Sequence, residues 1–145
     1  MSDGRSRGPK GIPEVTDRKA GVRSEGRDIG GRLLDFAVGV LDFSNRLGRT
    51  ASGRYLSNQL VRASCSAGAN YQESRGAESR ADFIHKMQLV LKEMREALYW
   101  LTLIGRSHIA SGDSLSDLTI EADELVCILV KAVVTAKARS RTSDV

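Results

Sequence analysis

SRADFIHKMQLVLKEMREALYWLTLIGRSH, residues 79–108, is the most regular part of this 145-residue sequence. Its apolar positions are separated by four and three residues in alternation, which is the spacing of one face of an α-helix. They are Phe83, Met87, Val90, Met94, Ala97, Leu101 and Ile104, and His108 continues the series. Ser79, followed three residues later by Asp82, is typical of the residues that cap a helix start. The pattern predicts a helix over about residues 80–109.

Three other segments have the same periodicity, and they predict helices over about residues 28–47, 54–75 and 115–137. Both prolines of the chain lie in its first 13 residues, so none interrupts these segments. Amphipathic helices joined by short turns are typical of an antiparallel bundle. We therefore predict an all-α fold, an up-down-up-down four-helix bundle over residues 28–140, with residues 141–145 frayed.

Residues 1–27 differ from the rest of the chain in composition and charge. They contain five glycines, both prolines and no aromatic residue, a composition that cannot bury enough apolar surface to offset the entropy of ordering. Seven Arg or Lys stand there against four Asp or Glu, whereas residues 28–145 hold 15 basic and 14 acidic residues. We predict a disordered basic tail, which is either an arm that touches phosphates or a segment without a role.

The titratable residues do not form a pattern that chemistry requires. A di-iron bundle needs a Glu three residues before a His on each of two helices, and neither His85 nor His108 has one. Cys65 and Cys127 have no His nearby in the sequence, and we expect both thiols to be reduced and buried. Nor does the sequence contain a glycine-rich phosphate loop or a long apolar run. It therefore predicts no catalytic residue, metal, cofactor, small-molecule substrate or membrane contact, and a cytoplasmic location.

Arginine and lysine residues are concentrated in the second and third predicted helices. Residues 49–106 hold nine basic and five acidic residues. Eight of these cations are candidates for contact with nucleic-acid phosphates: Arg54, Arg62, Arg75, Arg80, Lys86, Lys92, Arg95 and Arg106. An ordinary solvated face with pairs such as Lys92–Glu96 explains them equally well. Beside them, Tyr99 and Trp100 could stack on bases or belong to the core or an interface.

Asn70 falls on the apolar side of the second predicted helix, in series with Leu60, Ala63 and Ala67. A buried amide is costly unless it is hydrogen-bonded, and one such residue can fix how helices pair. Two acidic residues on the second and third helices are plausible partners. We predict a structural polar cluster of Asn70, Glu73 and Glu96, the alternative being that these residues contact a ligand.

Three stretches resemble a known family: SCSAGANYQE at 64–73, SRADF at 79–83 and KEMREALYWL at 92–101. The resemblance is to four-helix bundle proteins encoded by intervening sequences in bacterial 23S ribosomal RNA genes, a family that looks related to the accessory variability proteins of diversity-generating retroelements. It covers roughly residues 30–137. It implies an antiparallel bundle, ring-like homo-oligomers such as pentamers, a role with nucleic acid and no catalytic residues. Residues 1–27 have no counterpart in the family pattern.

Two functions remain open at this point. The leading hypothesis is a non-enzymatic homo-oligomeric bundle that binds RNA or DNA without reading its sequence. Its rival is a protein–protein adaptor that docks a reverse transcriptase or a ribosomal partner without touching nucleic acid. The first and fourth predicted helices carry more apolar surface than one bundle seam consumes, which favours self-association, unless a broad core inside a monomer absorbs the surplus.

Overall fold

The computed structural model describes residues 28–144, which form four α-helices and no strand. The helices are α1 (Ile29–Leu47), α2 (Ala51–Arg75), α3 (Arg80–Arg106) and α4 (Asp113–Ser143). The all-α, four-helix prediction is confirmed for this range. The predicted disordered tail, residues 1–27, lies outside the described residues.

Each of the first three helices is preceded by an N-cap residue. The side chain of this residue accepts a hydrogen bond from a first-turn backbone N–H that has no partner inside the helix. Asp28 accepts from the N–H of Gly30, and Thr50 accepts from the N–H of Gly53. Ser79 accepts from the N–H of Asp82 at 3.0 Å, as the sequence predicts. The cap at Thr50 explains why α2 begins at Ala51 rather than at about residue 54.

The end of α3 and the extent of α4 also differ from the predicted bounds. α3 ends at Arg106 because His108 adopts a left-handed backbone conformation, with φ of 58°, which closes the helix. α4 continues past residue 137 to Ser143, so residues 141–143 are helical rather than frayed. Arg80 of α3 fastens this last turn, since its guanidinium donates to the carbonyl of Arg139 at 2.9 Å and to Ser143 Oγ at 3.0 Å.

The four apolar stripes meet in one core, with each helix packed against the next along the chain and α1 also against α4. The buried residues of α3 include Met87, Val90, Met94, Ala97, Leu101 and Ile104, as its periodicity predicts. Contacts between Asp28 and Arg75, Glu73 and Lys86, and Arg80 and Arg139 each join the start of one helix to the end of a neighbour. They support the up-down-up-down order, which stays a prediction.

Both cysteines are exposed, so the expectation that they are buried is wrong. The buried seam of α2 runs through Leu60, Ala63 and Ala67, and Cys65 lies off it, at the edge of a groove between α1 and α2. Cys127 likewise lies off the seam of α4, which runs through Leu125 and Leu129. Small apolar neighbours in the sequence therefore did not indicate burial here.

Candidate nucleic-acid interface

Four of the eight candidate cations are held by other groups of the protein. Lys86 pairs with Glu73 at 2.8 Å, and this hydrogen bond raises the pKa of the Lys86 ammonium. Arg75 Nη1 lies 3.9 Å from Asp28, and Arg80 donates to the end of α4. Arg62 pairs with Glu93 and Glu96 of α3. Their donors are at least partly occupied within the fold, which makes these four poorer candidates for phosphate contact.

The other four candidates, Arg54, Lys92, Arg95 and Arg106, are exposed and form no ion pair with any residue in 28–144. The alternative pairing of Lys92 with Glu96 is absent from this range, because Glu96 accepts from Arg62 instead. Glu93 and Glu96 of α3 are thus turned toward Arg62 of α2, whereas Lys92 and Arg95 beside them in the sequence are exposed.

Three of these unpaired cations lie on one exposed line of α3. Gln88, Lys92, Arg95, Tyr99 and Arg106 are separated by 4, 3, 4 and 7 residues, which places them on one side of a helix with 3.6 residues per turn. All five are exposed, and none is acidic. We call this line the α3 ridge. At 1.5 Å per residue it is roughly 27 Å long.

α4 adds a cation that the sequence analysis did not select. A cleft of about 390 Å³ between α3 and α4 is lined by Lys92, Arg95 and Lys137, together with Gln88, Leu91 and Val133. Three positive side chains therefore border one cleft, and none of the described residues that line it is acidic. The spacing within α3 would have indicated the ridge, but nothing in the sequence relates Lys137 to it, since α4 reaches this position only through tertiary packing.

Acidic side chains are collected on another part of the bundle. A second cleft, between α1 and α4, is lined by Asp35, Asp117, Glu121 and Glu124, and Arg32 is the one cation among the described residues that line it. Arg32 is bound by both Glu121 and Glu124 at 2.9 Å. The near balance of charge over residues 28–145 is therefore an average over a basic surface at α3 and an acidic one at α1 and α4.

Two aromatic side chains, Tyr55 of α2 and Trp100 of α3, lie beside Tyr99 of the ridge. The ring of Trp100 contacts Tyr99 edge-on at a centroid distance of 5.0 Å and contacts Tyr55 at 6.1 Å. Its indole N–H donates to Glu96 at 3.2 Å, and Glu96 also accepts from Arg62. Trp100 is partly buried against the core, whereas Tyr55 and Tyr99 are more than half exposed.

The predicted polar cluster does not form. Asn70 is only half-buried, and its amide donates to the Ser66 carbonyl of its own helix at 3.0 Å. Glu73 binds Lys86, while Glu96 binds Arg62 and Trp100. The buried seam of α2 passes from Ala67 to Tyr71 and Ser74 instead, which leaves position 70 beside it.

The described helices contain neither a metal-binding cluster nor a segment able to span a membrane. Residues 28–144 contain no group of three or more His, Cys, Asp or Glu placed to hold a metal ion. In the same range, no helix combines the length and the hydropathy that a membrane span requires.

Comparison with known proteins shows where the chain belongs. Residues 32–131 match the family model for the 23S rRNA-intervening sequence protein. A crystal structure of a protein of unknown function from Bacteroides thetaiotaomicron VPI-5482, described as of the S23 ribosomal protein family, has a similar fold with a TM-score of 0.68. Its sequence is 30% identical, and the match covers 73% of this chain and 98% of that one. No curated protein matches. The chain is thus a member of the 23S rRNA-intervening sequence protein family.

Proposed function

We propose that this protein is a non-enzymatic, homo-oligomeric bundle that binds the phosphate backbone of RNA or DNA through the α3 ridge and the adjoining Lys137. The observation that carries the proposal is the unpaired state of Lys92, Arg95 and Arg106 within the described fold, on a line without acids. Phosphates are attracted by such a field without any motif, and the contact carries no sequence information.

For phosphate binding, the arrangement of charges at the ridge matters more than the net charge of the domain. Within 28–145 the 15 basic and 14 acidic residues nearly cancel, so the domain as a whole exerts little long-range pull. At an ionic strength of about 0.1 M, charges interact over roughly 10 Å, which is shorter than the ridge. A phosphate at the ridge therefore experiences chiefly the cations that line it. Several copies in one assembly would repeat this surface.

Binding should weaken steeply with salt. A contact with about three phosphates gives a slope of log K against log salt of roughly −2 for single strands and −2.7 for duplexes. The measurement is a filter-binding titration of the full chain against RNA and duplex DNA over a series of salt concentrations. Retention of neither nucleic acid at low ionic strength would exclude the proposal.

Self-association is the second part of the proposal, and an exposed apolar line on α1 supports it. Leu34, Val38 and Leu41 are 65%, 56% and 45% exposed, which is unusual for large aliphatic residues spaced along one helix. They border a groove of about 410 Å³ whose α2 wall consists of the small residues Cys65, Gly68 and Ala69, together with Gln72. The exposed apolar side chains of α1 thus lie beside a groove, and two copies of this surface can pack into each other.

Light scattering on the purified chain tests this part. We expect a mass that is a multiple of 15.8 kDa, with the pentamer implied by the family resemblance as one such outcome. The double variant Leu34→Glu/Val38→Glu should shift the mass toward 15.8 kDa, because buried carboxylates are costly at an apolar contact. Ile120→Glu, at a residue of α4 that is 62% exposed, is the matched control and should keep the assembly. A wild-type monomer would contradict self-association.

The rival function, a protein adaptor, draws on the same apolar groove. Partners that remain bound in a pull-down after nuclease treatment would favour it, whereas partners lost with nuclease would favour contact through nucleic acid. The relation to accessory variability proteins of retroelements stays a prediction.

A further inference from the structure

Tyr99 lies near the middle of the α3 ridge, and most of its side chain faces solvent. Its side chain is 59% exposed, although aromatic rings bury more apolar surface than most residues when they pack inward. Arg95 lies one turn before it on the same line, Arg106 lies two turns after it, and Lys92 lies two turns before it. The ridge therefore places one exposed aromatic ring between Lys92 and Arg95 on one side and Arg106 on the other.

The ring of Tyr99 is held in place from one side. Trp100 contacts it edge-on, with an interplanar angle of 70°, and Trp100 is itself fixed by Tyr55 and by the hydrogen bond from its indole N–H to Glu96. Glu96 is tied in turn to Arg62 of α2. This chain of contacts reduces the conformational freedom that Tyr99 would lose on binding, so a ligand that stacks on it meets a partly ordered ring.

We propose that the α3 ridge is a binding site for single-stranded nucleic acid, in which one base stacks on Tyr99 while neighbouring phosphates contact Arg95 and Lys92 on one side and Arg106 on the other. The inference rests on the nucleic-acid function proposed above and narrows its ligand. Positive side chains that follow the backbone, together with an aromatic ring for the bases, are the elements of sequence-tolerant single-strand recognition. A duplex keeps its base faces stacked inside and offers Tyr99 none.

The test compares two ligands, a short single-stranded RNA and the same strand annealed to its complement. Tyr99→Leu keeps an apolar side chain but removes the ring, and it should weaken single-strand binding by about 5- to 100-fold, the cost of losing one base–aromatic stack. Duplex binding should change by less than about twofold, and the salt slope of single-strand binding should stay the same, because no phosphate contact is lost. Tyr99→Phe retains the ring and should bind like the wild type.

A control variant and the pattern of affinities for the two ligands distinguish a failure of the single-strand site from a failure of nucleic-acid binding as a whole. Tyr55→Leu is the matched control, since Tyr55 also contacts Trp100 and is similarly exposed but lies off the ridge. It removes one contact of Trp100 but no ring from the ridge, so it should weaken single-strand binding far less than Tyr99→Leu does. If the wild type binds both ligands and Tyr99→Leu changes neither affinity, or lowers both equally with helicity intact, the single-strand site is excluded while the nucleic-acid function stands. If the wild type binds neither, the proposed function fails.

Trp100 gives a second readout because it is the only tryptophan of the chain. Its ring centroid lies 5.0 Å from that of Tyr99, so a base that stacks on Tyr99 should change its fluorescence. We expect the single strand to produce a saturable change at the same concentration as in the binding assay, and the duplex to produce none. A duplex that alters Trp100 emission as strongly as the single strand would overturn the proposed discrimination.

Discussion

Gly53→Ala should destabilise the protein by about 3 kcal/mol, as expected when an added methyl group is forced against backbone. A Cβ at position 53 would come within 2.4 Å of the carbonyl oxygen of Leu47 and 3.0 Å of Thr50 Oγ1. The first partner is a main-chain atom at the end of α1, which cannot rotate aside as a side chain would. The α1–α2 connection would have to open, which would also disturb the cap at Thr50. Urea denaturation followed by circular dichroism measures the change in the free energy of unfolding.

Gly31→Ala is the matched control for this prediction, because Gly31 is the third residue of α1 as Gly53 is the third residue of α2. Apart from the adjoining helix backbone, no atom of residues 28–144 lies within 4 Å of a Cβ placed at position 31. Replacing a helical glycine there should stabilise the protein by up to about 0.5–1 kcal/mol through the entropy of the unfolded chain. If both alanine variants shift stability in the same direction, the contact with Leu47 does not determine the requirement for glycine.

The helices were predictable because the pattern that indicates them is local, whereas two of their ends depend on contacts and backbone conformations that the pattern does not contain. The glycine at position 53 reads as a helix breaker between two periodic segments, yet it lies inside α2, which begins after the Thr50 cap. Glycine suits this position because the end of α1 leaves no room for a Cβ. His108 continues the apolar spacing of α3, yet its positive φ places it in the turn. Spacing alone did not distinguish a residue that continues a helix from one that ends it.

The candidate interface was only partly predictable, for a related reason. The sequence shows which residues are cationic but not which ones are paired, since Arg62 and Glu96 are 34 positions apart and meet only when α2 packs on α3. Arg62 and Lys86 pair with acidic residues of the fold, whereas Lys92 and Arg95 form no ion pair with any residue from 28 to 144. Lys137 joins them from α4 through packing that the sequence could not indicate. Asn70 falls on the apolar stripe that the sequence predicts for α2, but in the structure the buried face of α2 passes through Tyr71 instead.

Lys92→Gln/Arg95→Gln should weaken nucleic-acid binding by roughly 25- to 60-fold at about 0.1 M salt, because each lost phosphate contact lowers the magnitude of the salt slope by about 0.7 for single strands and 0.9 for duplexes. The same relation predicts that the difference from the wild type narrows as salt rises and disappears near about 1 M. Both side chains are exposed and unpaired within residues 28–144, so the fold should be retained. The measurement is the filter-binding titration with salt, carried out on this double variant, on the control variant described next and on the wild type.

The control for this variant removes the same charge from a different surface. Arg75→Gln/Lys86→Gln also deletes two cations, but each of these is next to a carboxylate, Asp28 or Glu73, and both lie off the α3 ridge. Its salt slope should match that of the wild type, and its affinity should fall much less than that of the ridge variant, because each lost charge already lies beside a carboxylate and is not part of the ridge. Equal losses in the two double variants would mean that nucleic acid responds to the total charge of the protein, and the α3 ridge would then have no special part in binding.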